Sequence, residues 1–304
     1  MNRREFISRT AFSALLPLIP LASGKAGAAS VLSMFEETDE SICKSKFDLA
    51  LSETLAEKPI NEVIVAIGKS FIGTDYAAHS LEEDGAEHLV VNMRVLDCVS
   101  FYENSLALAR CIKLKRLTFD DYKAQLQFIR YRGGIINGYP SRLHYTVDYW
   151  FDNERKGVLK IVTNDLADKK SLRPIPTPIN FMTSHRSLYQ QLSNDSFFEA
   201  MKQVEEEIGK RVAFFIPKER VRESEEKMRT GSLIGITTTT PGLDISHTGI
   251  AVRMANGAVH LMHAPDVGSK VQITESPLHE YLAHHPKQTG IIVAEALEPK
   301  DGKQ

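Results

Sequence analysis

The sequence predicts an α+β fold, with helices first and an antiparallel sheet last. Helical periodicity recurs up to about residue 208, and alternating strand patterns fill residues 232–296. Asn256-Gly257, between two of those strands, is a strong hairpin signal.

In chain order, Ser45 to Lys58 reads as an amphipathic helix carrying Phe47, Leu49, Leu51 and Leu55. Pro59 suits the first turn of a second helix, Ile60 to Lys69. A loop follows over residues 70–76, then a β-type run over His88-Leu-Val-Val-Asn-Met93. From Cys98 the pattern is helical again, with Val99, Tyr102, Leu106 and Ala109 on one face and Asp97 as a good N-cap. Thr118-Phe-Asp-Asp121 resembles a capping box; the helix it opens runs towards Arg130 and stops at Gly133-Gly134. Residues 135–178 read as irregular and aromatic, closing on an extended proline-rich piece, 173–178. Asp195 to Ile208 is a clear helix with Gly209 at its end. Strands are expected at 232–238, 246–254, 258–263, 270–273 and 290–296, with a short helix opening at Ser276-Pro277 before the last of them.

The 304 residues, 42% hydrophobic and 25% charged, have the composition of an ordinary globular protein. A formal net charge of −2 gives no footprint for nucleic acid or an anionic membrane surface. Residues 1–29 read as an export signal: Arg3-Arg4 sits in a twin-arginine-like pattern, and an apolar stretch runs from Ala11 to Ala22. Ala26-Gly-Ala28 then offers a small-residue cleavage site. The stretch is short and broken by Pro17 and Pro20, which argues against a retained membrane span. The expected destination is the periplasm or beyond, with 30–44 as a linker and 45–300 as a single domain. Three cysteines, Cys43, Cys98 and Cys111, do not make a disulfide framework, although a Cys43–Cys111 bridge is compatible with that compartment.

Cys98 is the candidate nucleophile. A thiol in the first turn of a helix meets unpaired N–H groups and the positive end of the helix dipole, which favour the thiolate. Such a thiol needs a base and a group to orient that base. His247, at the start of a strand with Gly249 two residues on, is the candidate base. In a hairpin turning at Asn256-Gly257 its partner lies near residue 265 or 266, so His263 is close enough to orient it through the Nδ1–H. His260 faces the other way.

Gly68-Lys-Ser-Phe-Ile-Gly-Thr-Asp-Tyr76, Asp97-Cys98, Ser246-His247-Thr-Gly-Ile and Met262-His263-Ala-Pro265 together resemble the NlpC/P60 superfamily of papain-like cell-wall hydrolases. Asn92 and Asp97-Cys-Val-Ser-Phe-Tyr-Glu-Asn104 with Leu106-Ala-Leu-Ala109 are similar to its DUF1460 branch, associated with N-acetylmuramoyl-L-alanine amidase activity on muropeptides. The resemblance spans roughly residues 45–297. It implies a papain-like core whose nucleophile-bearing helix packs on an antiparallel sheet, preceded by helices. Cys98 would be the nucleophile, His247 the base and His263 the third member. Tyr76 would help an oxyanion hole, and Asp97 would line the substrate cleft. It implies no metal or organic cofactor, with peptidoglycan fragments, in ordinary or 1,6-anhydro form, as partners. Ser100 stands where the branch commonly has Thr. The Cys98-to-His247 spacing far exceeds that of the minimal core, so 113–230 is expected as an insertion that forms a wall of the cleft. Two alternatives stay open: a D-γ-glutamyl–diaminopimelate endopeptidase using the same residues, and a non-catalytic muropeptide-binding protein.

Other polar groups read as structural. The aromatic group His144, Tyr145, Tyr149 and Trp150 is expected in the core, and Asp148 with Asp152 in a solvated turn. His79, His88, His185, His279, His284 and His285 show no metal-ligand spacing. Residues 205–207 and 223–227 are expected on exposed helix faces.

Overall fold

The computed structural model describes residues 37–83, 85–266 and 269–300. The expected export signal, residues 1–29, and the first part of the expected linker lie outside them. The described residues form helices α1 (Asp39–Ser52), α2 (Ile60–Lys69), α3 (Cys98–Lys113), α4 (Phe119–Arg130) and α5 (Thr146–Arg155). They continue with α6 (Thr163–Leu166), α7 (Phe181–Ser184), α8 (Asp195–Gly209), α9 (Val221–Glu225) and α10 (Leu278–Ala283). The strands are β1 (Asp75–Tyr76), β2 (Val95–Leu96), β3 (Leu159–Ile161), β4 (Arg173–Pro174) and β5 (Phe214–Pro217). After them come β6 (Leu233–Thr238), β7 (Ile245–Arg253), β8 (Val259–His263), β9 (Gln272–Ile273) and β10 (Gln288–Ala296).

Eight strands form one antiparallel sheet in the order β4-β5-β10-β6-β7-β8-β9, with β3 also paired to β10. Its centre is made by consecutive strands from the last third of the chain, as the alternation predicts. Neighbouring residues of β7 and β8 divide between two cores, as a pleated strand requires. Ile250, Val252 and Met262 pack with the core built by α1 to α5, whereas Ala251, Val259 and Leu261 pack with Leu278 and Leu282 of α10. The architecture is therefore mixed α+β, with α3 at the centre of the larger core.

Helix α3 is buried on every side from Ser100 to Ile112, polar residues included. Most buried polar groups there find a partner, which is the condition for burying them, although Arg110 Nη1 has none among the described residues. Glu103 pairs with Arg130 of α4 at 2.9 Å, and Asn104 accepts from the Tyr122 hydroxyl and donates to the Asn92 carbonyl. Arg110 Nε donates to Gln125 Oε1 at 2.8 Å. These polar residues key α3 to α4 in one register.

Several local expectations are corrected. The first helix starts at Asp39 because Thr38 and Ser41 form a reciprocal capping box, so the expected linker is already helical at its end. The run 88–93 is not a strand, because side chains take its backbone groups. Arg130 Nη1 donates to the Val90 carbonyl, the Tyr131 hydroxyl to that of His88, and the Met93 N–H to Asp39. The irregular stretch 135–178 contains α5, on which Asp148 and Asp152 are buried rather than solvated. Asp148 is held by Arg132 and Arg211, and Asp152 by Arg155, Lys156 and the Gly133 N–H. Glu205 is likewise buried, accepting from the Tyr145 hydroxyl, and Glu225 is buried against His279. Polar partners explain all four: those of Asp148, Glu205 and Glu225 come from other elements, whereas Asp152 also pairs with Arg155 and Lys156 at the end of its own helix. Tyr145, Tyr149 and Trp150 are core residues, as expected. All three cysteines are free thiols, with Cys43 and Cys111 buried.

Candidate active site

The N-terminus of α3 presents Cys98 as its first residue. Asp97 caps the helix: its Oδ1 accepts from the Ser100 N–H at 2.7 Å, while Ser100 Oγ accepts from the Asp97 N–H at 2.9 Å. The other Asp97 oxygen accepts from Ser80 Oγ at 3.1 Å. Both carboxylate oxygens are thus committed to holding the helix start. Tyr76 arrives beside them because β1 pairs in parallel with β2, Tyr76 opposite Leu96.

His247 lies near the start of β7, just after a break in register. Thr237 of β6 pairs with Ile245 while Ile236 pairs with His247, leaving Ser246 as an extra residue. Such a bulge re-aims the side chain that follows it. Across the hairpin, Ile250 pairs with Met262, so His263 stands opposite Gly249 and diagonal to His247. A Cβ on Gly249 would lie 2.7 Å from Leu261 Cδ1 and 2.8 Å from the Met262 carbonyl, so only glycine permits this approach of β7 to β8.

The two imidazoles meet, His247 Nε2 to His263 Nδ1, at 2.7 Å. This corrects the expected contact through Nδ1 of His247; among the described residues that Nδ1 makes no hydrogen bond. Both histidines, together with Asp266, Tyr281, His285 and Gln288, line a cleft of about 830 Å³. Cys98, Asp97 and Tyr76 stand outside that lining. Thr248 joins the two halves, donating from Oγ1 to the Cys98 carbonyl at 2.8 Å. Among the described residues the Cys98 thiol makes no hydrogen bond to His247; such contacts commonly tighten only once substrate is bound. Burial raises the phenol pKa of both Tyr76 and Tyr281, and the Asp266 carboxylate adds to the shift of each.

Burial, with the neighbouring Asp97 carboxylate, pushes the Cys98 thiol up to about 11, against the pull of hydrogen bonds from Thr248. The stored thiolate expected from the helix start is therefore not favoured, because desolvation and the Asp97 charge oppose it. Burial and the adjacent histidines lower His247 to about 3; burial and His285 lower His263 to about 4. Both are neutral near pH 7. Burial, with Cys98 and Asp97, holds Tyr76 up at about 12, so it stays a hydrogen-bond donor. A neutral thiol and a neutral imidazole suit attack in which the proton leaves as the sulfur–carbon bond forms.

A family model described as AmiA-like, N-acetylmuramoyl-L-alanine amidase-like, matches residues 66–291. The chain belongs to this family. Two crystal structures of an N-acetylmuramoyl-L-alanine amidase from Bacteroides uniformis are similar to it at 33% and 34% identity, both with a TM-score of 0.69. They cover 77% and 78% of this chain and 98% and 99% of their own. A Legionella pneumophila protein assigned to the DUF1460 family model has the same fold at 20% identity, with a TM-score of 0.64. It covers 87% of this chain and 96% of its own. No curated protein matches. Membership makes a peptidoglycan-related substrate the expectation for the cleft.

Sequence reasoning overlooked Thr248, Ser80, Tyr281 and Gln288. For Thr248 the signal was its place in the Ser246-His-Thr-Gly segment; the others have none, because loop and helix folding alone brings them in. His285, set aside for lack of metal-ligand spacing, lies in the cleft with Nδ1 2.7 Å from the Tyr281 carbonyl. Among the described residues no group of three or more His, Cys, Asp or Glu is arranged to hold a metal ion.

Proposed function

We propose that this chain is a cysteine amidase that cuts the amide between N-acetylmuramic acid and L-alanine in muropeptides, working through Cys98, His247 and His263 on a papain-like NlpC/P60 core. The His247–His263 pair at 2.7 Å, tied to Cys98 through Thr248, is the observation that carries the reading. Cys98 Sγ attacks the lactyl carbonyl carbon while His247 Nδ1 takes the thiol proton. The resulting imidazolium is held through its Nε2–H by His263 Nδ1. The Cys98 N–H and the Tyr76 hydroxyl stabilise the oxyanion. Collapse breaks the C–N bond, and the alanine amine leaves with the proton from His247. Water, deprotonated by His247, then hydrolyses the thioester and frees Cys98.

In this reading residues 1–29 direct export and are removed, and the enzyme works in the periplasm. Residues 113–230 buttress the site. Arg130 and Tyr131 bond the 88–90 backbone, Arg142 donates to the Leu81 carbonyl and to Glu82, and Gln191 donates to the Gly85 carbonyl. Together they hold the segment that links Tyr76 to Asp97.

The test is the mass of the products from purified muropeptides, ordinary and 1,6-anhydro, incubated with the enzyme. Release of free stem peptides beginning at L-alanine supports the assignment. Cleavage between D-glutamate and diaminopimelate would replace it with an endopeptidase, and binding without cleavage would replace it with a receptor.

A further inference from the structure

His247 can take a proton at Nδ1 only in the tautomer that carries hydrogen on Nε2. That hydrogen then points at His263 Nδ1, 2.7 Å away, which must supply a lone pair. It follows that the single hydrogen of His263 sits on its Nε2. The opposite arrangement, with His263 donating from Nδ1, would place the hydrogen of His247 on Nδ1 and block the base. Some feature of the protein must therefore favour hydrogen on His263 Nε2.

His263 Nε2 is buried and has no hydrogen-bond partner among the described residues. What stands beside the imidazole is the ring of Tyr281 on α10, with centroids 5.4 Å apart and planes at 86°. The Tyr281 ring is itself set against His285, at 4.3 Å and 38°. An aromatic face is electron-rich, so it attracts an N–H and repels a nitrogen lone pair.

We propose that Tyr281 is a positioning residue: its ring receives His263 Nε2–H and so selects the pair of tautomers in which His247 can act as the base. This rests on the assignment of Cys98, His247 and His263 above. Tyr281 touches no reacting atom; it acts through His263. The π face carries the effect and the hydroxyl does not.

The experiment compares wild type, Tyr281→Leu and Tyr281→Phe by steady-state kinetics on a muropeptide and by ¹⁵N NMR of the histidine side chains at neutral pH. Tyr281→Leu should lower kcat about fivefold or more with KM little changed, and should move the His263 nitrogen signals towards the Nδ1–H tautomer. Tyr281→Phe should restore both kcat and the Nε2–H signature. Wild-type kcat in Tyr281→Leu, or unchanged His263 tautomer signals, would overturn the proposal, as would a Tyr281→Phe variant no better than Tyr281→Leu. Full activity in Cys98→Ala would instead remove the underlying assignment, so the two failures are separable. The NMR readout also separates tautomer selection from loss of packing, which would lower kcat without exchanging the signals.

Discussion

His247 and His263 meet at 2.7 Å although they sit diagonally across the β7–β8 hairpin. A diagonal pair on adjacent strands is normally within reach only of long or aromatic side chains. Here the extra residue Ser246 re-aims His247, and Gly249 lets β7 come close at the position facing His263. The contact is thus built from backbone features as much as from the two imidazoles.

Replacing the orienting histidine should divide the effect by chemistry. His263→Asn keeps a group able to accept from His247 Nε2–H, whereas His263→Leu removes it and leaves that donor buried and unpaired. The leucine variant should lose kcat by on the order of 10²–10⁴-fold, with the asparagine variant distinctly better. Single-turnover rates on one muropeptide check this, and equal losses in both would deny the orienting role.

Acid should destabilise the fold early. The folded values of about 3 for His247 and about 4 for His263 lie below the ordinary value of 6.5, so between these limits the unfolded chain binds more protons. Stability from these groups is therefore complete above pH 6.5 and declines as pH falls towards 3, with a slope of about 1.4 kcal/mol per pH unit for each proton. Urea melts from pH 7 to pH 4 measure it, and His247→Gln should flatten the slope. A steep loss confined to pH below 4 would point to carboxylates instead.

The Glu103–Arg130 pair is nearly inaccessible and joins α3 to α4 at 2.9 Å. Glu103→Leu leaves Arg130 charged and buried without its partner, which should cost about 3–5 kcal/mol. The double variant Glu103→Leu, Arg130→Met should recover much of the loss. Chemical denaturation of the three proteins tests the pairing, and a Glu103→Leu midpoint close to wild type would contradict it.

Much of this was legible in the sequence. The N-cap Asp97, the helix that follows it, the Asn256-Gly257 hairpin and the five late strands are local signals of capping, period and turn chemistry. The residue types at Cys98, His247 and His263 are legible too, and strand register brings the two histidines together. The central sheet extends further than the alternation suggests, because β3, β4 and β5 come from 113–230 and are too short to show a period. The ionisation state of Cys98 does not follow from its place in the chain for a physical reason: a helix start is a local feature, whereas desolvation depends on everything packed around the thiol. Tyr281 lies on a six-residue helix, and only tertiary packing sets its ring beside His263.

The most direct test of the central claim is the rate of muropeptide amide cleavage by Cys98→Ala beside wild type, with the fold of the variant verified by its unfolding midpoint. Loss of cleavage to the background rate in a folded Cys98→Ala protein is the predicted result. Cleavage by folded Cys98→Ala at a rate near that of wild type would contradict the account.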